Sequence, residues 1–198
     1  MTESNDDMNW RCFIRHVTTE VLNGKPGLRL VRLCKSLWST NSSRQAVLRL
    51  RLTQLLGHQG YRSLARWQRA RLAMRFGVHL APGTVIGRGV RLPHPTSIVI
   101  GGGLRIGARC RMYQQVTLGA APPGHGDLMC RIGDDVTIYP GAKFVGEGRV
   151  GNRVIVGANA VVTKVFGDNV VVAGTPAKIV REIRADDRTG SEKSVGYE

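Results

Sequence analysis

Apolar residues recur at helical spacing in the first part of the chain, residues 9–77. Two stripes carry the pattern: Leu30, Leu33, Cys34 and Leu37, and then Leu64, Trp67, Leu72 and Phe76. Between them, Ser42 and Ser43 are candidate N-caps of a further helix that ends at Gly57. The alternating run at 48–52 also fits a strand, but its neighbours are better helix formers. The pattern therefore predicts a helical N-terminal region.

From residue 80 the apolar positions follow a period of six instead. A large apolar residue recurs as Leu80, Ile86, Leu92, Ile100, Ile106, Met112, Leu118, Ile132, Ile138, Phe144, Val150, Val156 and Val162. Four places later stands a small or β-branched residue, as at Thr84, Val90, Cys110, Val116, Val136, Ala142, Val154 and Ala160. Six residues make one short strand and one tight turn, so three units close a triangular coil with both positions inside. The repeat predicts a parallel β-helix with a continuous aliphatic core.

The period of six is broken at two places. A slip of two residues separates Leu92 from Ile100, and the fourteen residues from Leu118 to Ile132 equal two hexads plus two. Residues 120–131 match no hexad and are rich in Pro and Gly, which predicts a loop extruded from the coil stack. Loops on such scaffolds often carry binding residues.

The composition adds a strong positive charge. The chain of 198 residues has 29 Lys and Arg against 14 Asp and Glu, a net charge of +15. Such an excess suggests an anionic partner, such as nucleic acid, a membrane surface or a phosphorylated ligand. No DNA-binding or RNA-binding motif accompanies the charge, so we expect no nucleic-acid partner. Peripheral contact with an anionic membrane or polymer stays open, beside the equal alternative of an arginine-rich solvated surface.

The remaining composition concerns the compartment. The four cysteines form no CxxC pair, which is typical of free thiols in a reducing compartment. The first residues are acidic and polar, unlike a signal peptide, and no apolar stretch approaches the ~20 residues that span a membrane. We expect a soluble cytoplasmic protein whose residues 1–8 and 184–198 are disordered.

Three segments resemble the hexapeptide-repeat acyltransferases, and within them the serine acetyltransferase branch. They are residues 83–101, residues 112–120, and residues 132–146 with 156–180, the last ending in AGTPAKIV. The resemblance implies a mainly β protein with a left-handed parallel β-helix, a homotrimer, and acetyl-CoA bound in the groove between neighbouring subunits. We divide the chain into a helical region (9–77), the β-helix (78–166) with its loop (120–131), and a C-terminal turn and closing segment (167–183).

The resemblance also implies roles for single residues. His94 takes the position of the catalytic histidine, which accepts the proton of a hydroxyl as that hydroxyl attacks the thioester. His79 stands where the family has a carboxylate that orients the imidazole. Gln114 and Gln115, and His125 in the loop, are candidates for the acceptor site. Acetyl-CoA binding is implied for Gly119, Ala142, Ala158, Thr163, Lys164, Lys178 and Arg181, the last three facing the phosphates.

The chain differs from the serine acetyltransferases at the residues that bind the ammonium and carboxylate groups of free serine. Pro93 replaces the Asp before the catalytic histidine, and Leu128 and Met129 replace an Arg-His pair after the loop. Buried charges require partners, so these changes weaken the binding of a zwitterion but not of an uncharged sugar. The acceptor hydroxyl is therefore that of L-serine, in cysteine biosynthesis, or that of a sugar, in exopolysaccharide or capsule synthesis. Both have equal weight.

Two other functions compete with acetyl transfer. A non-catalytic basic trimeric scaffold would bind an anionic polymer or a partner enzyme. A zinc-dependent β-helical carbonic anhydrase would use His79, His94 and His125, although their spacing does not match that family. We expect no metal, and no covalent acyl-enzyme, because neither Cys110 nor Cys130 has a visible activating partner.

Overall fold

The computed structural model describes residues 9–21, 41–119 and 131–184. Several predictions fall outside these residues: the disorder of 1–8 and 185–198, the stripe from Leu30 to Leu37, and the loop at 120–130. Within them, helices precede a solenoid of short parallel strands. No helix in the described ranges is both long and apolar enough to cross a membrane.

The described helices are α1 (Trp10–Glu20), α2 (Ser42–His58) and α3 (Arg62–Phe76). They confirm the predicted helical region, and the alternating run at 48–52 lies inside α2. α3 stops at Gly77, whose left-handed φ of 63° only glycine adopts readily. The chain changes there from helix to solenoid.

The predicted ends of α2 are wrong. The N-cap is Asn41, whose side-chain Oδ1 accepts a hydrogen bond from the Arg44 N–H at 3.0 Å. Ser42 and Ser43 therefore lie in the first turn. At the other end α2 continues to His58, because a glycine inside a helix costs only about 1 kcal/mol and is tolerated.

The solenoid has three faces of five described strands each. Face A contains β1 (Val78–Leu80), β3 (Ile98–Ile100), β6 (Thr117–Leu118), β9 (Lys143–Phe144) and β12 (Val161–Val162). Face B contains β2 (Val85–Ile86), β4 (Arg105–Ile106), β7 (Arg131–Ile132), β10 (Arg149–Val150) and β13 (Val165–Phe166). Face C contains β5 (Arg111–Met112), β8 (Thr137–Ile138), β11 (Ile155–Val156), β14 (Val170–Ala173) and β15 (Lys178–Glu182).

Neighbouring strands within a face are parallel, except that β15 runs antiparallel to β14. From β3 to β14 successive strands change face, so each run of three strands closes one coil. The large apolar positions of the period of six are all buried, and so are the small or β-branched positions that follow them. The aliphatic column inside a three-sided parallel β-helix is thereby confirmed.

Two predicted boundaries of the solenoid need correction. β6 and β7 are consecutive around the coil, so the fourteen residues from Leu118 to Ile132 are one hexad of six and eight inserted residues, not two hexads plus two. Arg131 already belongs to β7, and the insertion ends at residue 130. The solenoid also does not end at 166, because β14 completes the last coil by pairing in parallel with β11 as far as Val172.

α2 fastens the helical region to the first coil. The fully buried Arg51 donates hydrogen bonds to the carbonyls of Ile86 and Gly87, each at 2.6 Å. Gln54 donates to the carbonyl of Thr84 at 3.3 Å. These carbonyls lie in or beside β2, so the helices hold the coil that leads into the predicted catalytic turn.

Candidate active site

Most residues predicted to form the site lie on face A or along its two edges. The outward-facing residues of face A are in register from coil to coil: His79, Val99, Thr117, Lys143 and Val161. The C–A edge is the corner between faces C and A (93–97, 113–116, 139–142 and 157–160). The A–B edge is the corner between faces A and B (81–84, 101–104, 119, 145–148 and 163–164). One side of the solenoid thus carries most of the predicted site residues.

His94 lies in the first turn of the C–A edge, residues 93–97, which takes up the two-residue slip before β3. Pro95 is buried and His94 is exposed, so the proline anchors the turn and the imidazole faces outward. The Thr96 N–H donates to the His94 carbonyl at 2.8 Å, and the Thr96 carbonyl accepts from the Gln115 N–H at 2.9 Å. The backbone of the turn is therefore tied to the next coil.

Aromatic rings continue along the C–A edge from His94. The centroids of His94 and Tyr113 lie 6.3 Å apart, and Tyr113 stacks on Tyr139 at 5.3 Å with an angle of 6° between planes. These separations fall in the range where aromatic rings attract each other. Sequence reasoning missed both tyrosines. The signal that could have found them is that each directly follows the large apolar residue of a hexad.

Gln114 and Gln115 occupy the turn beside that of His94. Gln115 is exposed, and its φ of 61° lets its N–H reach Thr96. Gln114 is half-buried, and its Oε1 is buried without a hydrogen-bond partner among the described residues. Buried polar atoms normally have a partner, so Gln114 is the stronger candidate of the two for contact with a substrate.

His79 lies on face A itself rather than on an edge. It is exposed on β1 and stands opposite Val99 in the ladder. His79 therefore lies on face A, and the turn that carries His94 lies along one edge of that face. The role of His79 as an orienting group in place of a carboxylate stays a prediction.

The predicted acetyl-CoA residues divide among three places. The A–B edge holds Gly119, Thr163 and Lys164, the C–A edge holds Ala142 and Ala158, and β15 holds Lys178 and Arg181. All are exposed except Gly119, which is half-buried, and Ala142, which is fully buried. The Ala142 N–H and carbonyl are used by Tyr139 and Thr117 within the solenoid. Ala142 can therefore shape a groove by being small, but it offers no free group to a ligand.

Two further positions on this side have clear physical constraints. A Cβ at Gly119 would lie 2.8 Å from the Phe144 carbonyl oxygen, so only glycine fits where the chain leaves β6.

Lys143, which the sequence analysis missed, is exposed on face A, and its Nζ donates to the Gly141 carbonyl at 3.0 Å. It places a positive charge between the two edges. The sequence signal that could have found Lys143 is its place directly before Phe144, the buried apolar residue of its hexad, which predicts an outward-facing side chain.

The other chemistry-bearing candidates are placed elsewhere. His125, Leu128 and Met129 lie outside the described residues. Cys110 is fully buried, its Sγ donates to the Gly133 carbonyl at 3.2 Å, and burial raises the pKa of its thiol to about 12. Such a thiol is a poor nucleophile. Among the residues that the structure describes, no group of three or more His, Cys, Asp or Glu side chains could hold a metal ion.

Comparison with known proteins places these features in a family context. The pattern of the bacterial transferase hexapeptide family (six repeats) matches residues 129–164. A serine acetyltransferase of Haemophilus influenzae is 33% identical over 153 residues, which are 75% of this chain and 57% of that protein. The chain therefore spans little more than half the length of this curated relative.

Solved structures extend the likeness to the helical region. A truncated serine acetyltransferase apoenzyme is 30% identical with a TM-score of 0.66, and the match covers 85% of this chain and 68% of that one. A Brucella abortus serine acetyltransferase in complex with coenzyme A is 28% identical with a TM-score of 0.70, and the match covers 88% of this chain and 69% of that one.

Proposed function

Because the chain belongs to the hexapeptide-repeat acyltransferases of the serine acetyltransferase type, we propose that it transfers an acetyl group from acetyl-CoA to an acceptor hydroxyl. The observation that carries this proposal is the position of His94. Its exposed imidazole stands at one edge of face A, on a turn anchored by buried Pro95. Five predicted donor-binding residues line the two edges of face A, and Lys178 and Arg181 lie on β15 of face C.

His94 acts as the general base of this reaction. Its neutral imidazole takes the proton of the acceptor hydroxyl while the oxygen attacks the thioester carbonyl, and it returns the proton to the departing thiolate. We propose direct transfer without a covalent acyl-enzyme, and burial of Cys110, which raises the pKa of its thiol to about 12, makes that thiol a poor nucleophile. The turn holds the ring near the acceptor through the backbone bonds of Thr96.

Groups at the edges of face A and on β15 of face C fit the chemistry of coenzyme A. The exposed ammonium groups of Lys164 and Lys178 are suited to its phosphates. Small residues such as Ala158 and Gly119 leave room for its thin pantetheine arm. The relative from Brucella abortus, solved with coenzyme A, supports the same donor here. Acetyl-CoA is a co-substrate, consumed in each turnover.

Two acceptors fit the proposal. The names of the relatives support L-serine, the acceptor of cysteine biosynthesis. A sugar hydroxyl is supported by three observations: Pro93 precedes His94, His79 is exposed on face A, and residues 78–118, which form the first two coils and the strand that begins the third, contain no Asp or Glu. An ammonium group would find no carboxylate in those coils, whereas an uncharged hydroxyl needs none.

The proposed assembly is a homotrimer with the donor groove between neighbouring subunits. Apolar side chains on and beside face A support an interface, since Val99 is 39%, Tyr139 41% and Val145 48% exposed. Light scattering of the purified protein tests the trimer. The cytoplasmic location stays a prediction.

The experiment that tests the function is a mass-spectrometric assay of acetyl transfer from acetyl-CoA. L-serine is run beside a panel of sugars and nucleotide sugars. Acetylated serine would support the cysteine pathway, and acetylated sugar with inert serine would support a changed acceptor site. No acetylation of any acceptor, together with no binding of acetyl-CoA by calorimetry, would overturn the proposal in favour of a non-catalytic scaffold.

A further inference from the structure

The outer surface of α3 carries large apolar side chains that face away from the protein. Leu64, Trp67 and Met74 are 52%, 50% and 76% exposed. With Arg71 they stand at helical intervals of three, four and three residues, which place them on one stripe. The side of the helix that carries Ala65, Gln68 and Leu72 is buried. We call Leu64, Trp67, Arg71 and Met74 the α3 stripe.

The α3 stripe is surrounded by positive charge. Arg71 lies over the Trp67 ring at 5.0 Å, and α3 also carries Arg62, Arg66, Arg69 and Arg75. Residues 41–77, which contain α2 and α3, include no Asp or Glu and eight Arg, of which one, Arg51, is buried against Glu20. The surface is therefore both apolar and strongly cationic, and nothing of negative charge is available within these helices to neutralise it.

We propose that the α3 stripe docks this protein onto an anionic lipid bilayer, with α3 lying in the plane of the interface. Exposed Leu, Trp and Met side chains with arginines beside them are the residue types that interfacial helices present to a bilayer. The indole ring is suited to the headgroup level, and arginine stems cover apolar surface while their guanidinium groups reach the phosphates. This inference does not depend on the acetyl transfer proposed above.

Charge and chemistry favour this occupant over two others. A second copy that paired through its own α3 stripe would bring two arginine-rich helices together, and like charges repel. A soluble anionic polymer would satisfy the arginines but would leave the apolar side chains in water. An anionic bilayer alone offers negative headgroups and an apolar interior at the same surface.

The test is co-sedimentation of the full chain with vesicles of phosphatidylglycerol in phosphatidylcholine, and with vesicles of phosphatidylcholine alone. We expect binding to the anionic vesicles only, a loss of binding at high salt, and a blue shift of tryptophan fluorescence. Trp67→Ser weakens binding by about tenfold or more. Arg71→Gln weakens it by about fivefold.

Matched controls separate the stripe from general charge and general hydrophobicity. Trp10→Ser removes a tryptophan of similar exposure on α1, and Arg131→Gln removes an exposed arginine on face B, so both bind like the unmodified protein. Unfolding midpoints show that Trp67→Ser remains folded. The proposal is overturned if anionic vesicles do not bind, or if Trp67→Ser binds them unchanged. It is equally overturned if light scattering shows that Trp67→Ser splits an oligomer, since a second copy would then cover the stripe.

Discussion

Arg51 of α2 donates two hydrogen bonds to the carboxylate of Glu20 at the end of α1, from Nε at 2.8 Å and from Nη2 at 2.5 Å. Both side chains are buried, at 0% and 1% exposure. Glu20 also accepts from the N–H of Gly89 at 2.7 Å, while Arg51 donates to the carbonyl of Gly87. One ion pair therefore ties two helices and the first coil together, and its charges are balanced by polar neighbours.

Loss of one partner of this pair should be costly. Glu20→Gln leaves the Arg51 guanidinium buried without its counter-charge, and we expect the free energy of unfolding to fall by about 3–5 kcal/mol. Chemical denaturation measures the difference. The matched control is Asp135→Asn, which removes the carboxylate of the exposed Arg109–Asp135 pair and should cost at most about 1 kcal/mol. Equal losses in both variants would contradict the buried role of Glu20.

Stability should also depend on pH through His16 of α1. Burial, aided by the positive charges of Arg51, Arg88 and Arg15, lowers the pKa of His16 from 6.5 to about 3. Between pH 3 and pH 6.5 the unfolded chain therefore binds a proton at His16 that the folded chain does not bind. The stability that neutral, buried His16 contributes is fully present above pH 6.5 and is lost as the pH falls toward 3. We expect the free energy of unfolding to drop by about 2 kcal/mol between pH 7 and pH 5.

The variant His16→Gln isolates this effect. Its unfolding free energy should lose that part of the pH dependence, whereas His58→Gln, at the exposed end of α2, should keep it. A pH dependence that is the same in His16→Gln and the unmodified protein would assign the effect to other groups.

Replacing the proposed general base should separate catalysis from folding. We expect His94→Ala to reduce acetyl transfer by roughly 10²–10⁴-fold, because the acceptor hydroxyl loses its proton acceptor. The unfolding midpoint and the affinity for acetyl-CoA should stay unchanged, since the ring is exposed. Full turnover in His94→Ala would refute the mechanism. His58→Ala serves as the control for loss of a surface histidine.

The basic residues beside face A should act on donor binding. Lys164→Ala removes an exposed ammonium at the A–B edge, and we expect the Kd of acetyl-CoA to rise by about five- to tenfold because a charge-assisted contact to phosphate is lost. Calorimetry measures the change. Arg88→Ala, exposed at the corner between faces B and C, should leave the Kd unaltered. An unchanged Kd in Lys164→Ala would place the phosphates elsewhere.

Glycine is required where coils stack closely at the corner between faces B and C. A Cβ at Gly87 would lie 2.6 Å from the Ala108 nitrogen in the next coil. We expect Gly87→Ala to cost about 1–3 kcal/mol of unfolding free energy. Gly167 holds the equivalent place in the last coil, with nothing within 4 Å of an added Cβ, so Gly167→Ala should change stability by less than about 0.5 kcal/mol. Thermal melts compare the two.

The buried core positions of the solenoid could be predicted from the six-residue repeat in the sequence. Positions such as Ile106 and Val156 recur every six residues because each coil repeats the same local geometry, so side chains six apart share one environment. His94 could be found through the resemblance, and its exposed place on an edge of face A fits the predicted role. Local periodicity suffices for the core positions, whereas the role of His94 rests on the resemblance.

The tyrosine stack shows where periodicity fails. If the interval from Leu118 to Ile132 held two hexads, Tyr139 would fall on another corner than Tyr113. The structure assigns eight residues to the insertion, so the two tyrosines lie one coil apart and stack at 5.3 Å. How much chain leaves the coil cannot be read from a period, because only the pairing of β7 with β4 fixes the register.

The sequence by itself determined the period of six and the buried aliphatic column, because both depend on local spacing, and its resemblance to a known family identified the candidate base. Only the tertiary structure decided the rest. It placed Glu20 against Arg51, 31 positions away, and Tyr139 against Tyr113. Charged residues normally stay exposed, so the pattern of apolar and polar residues does not predict that Arg51 is fully buried. Contacts between distant residues follow from how coils and helices pack, which depends on the whole chain rather than on any one segment.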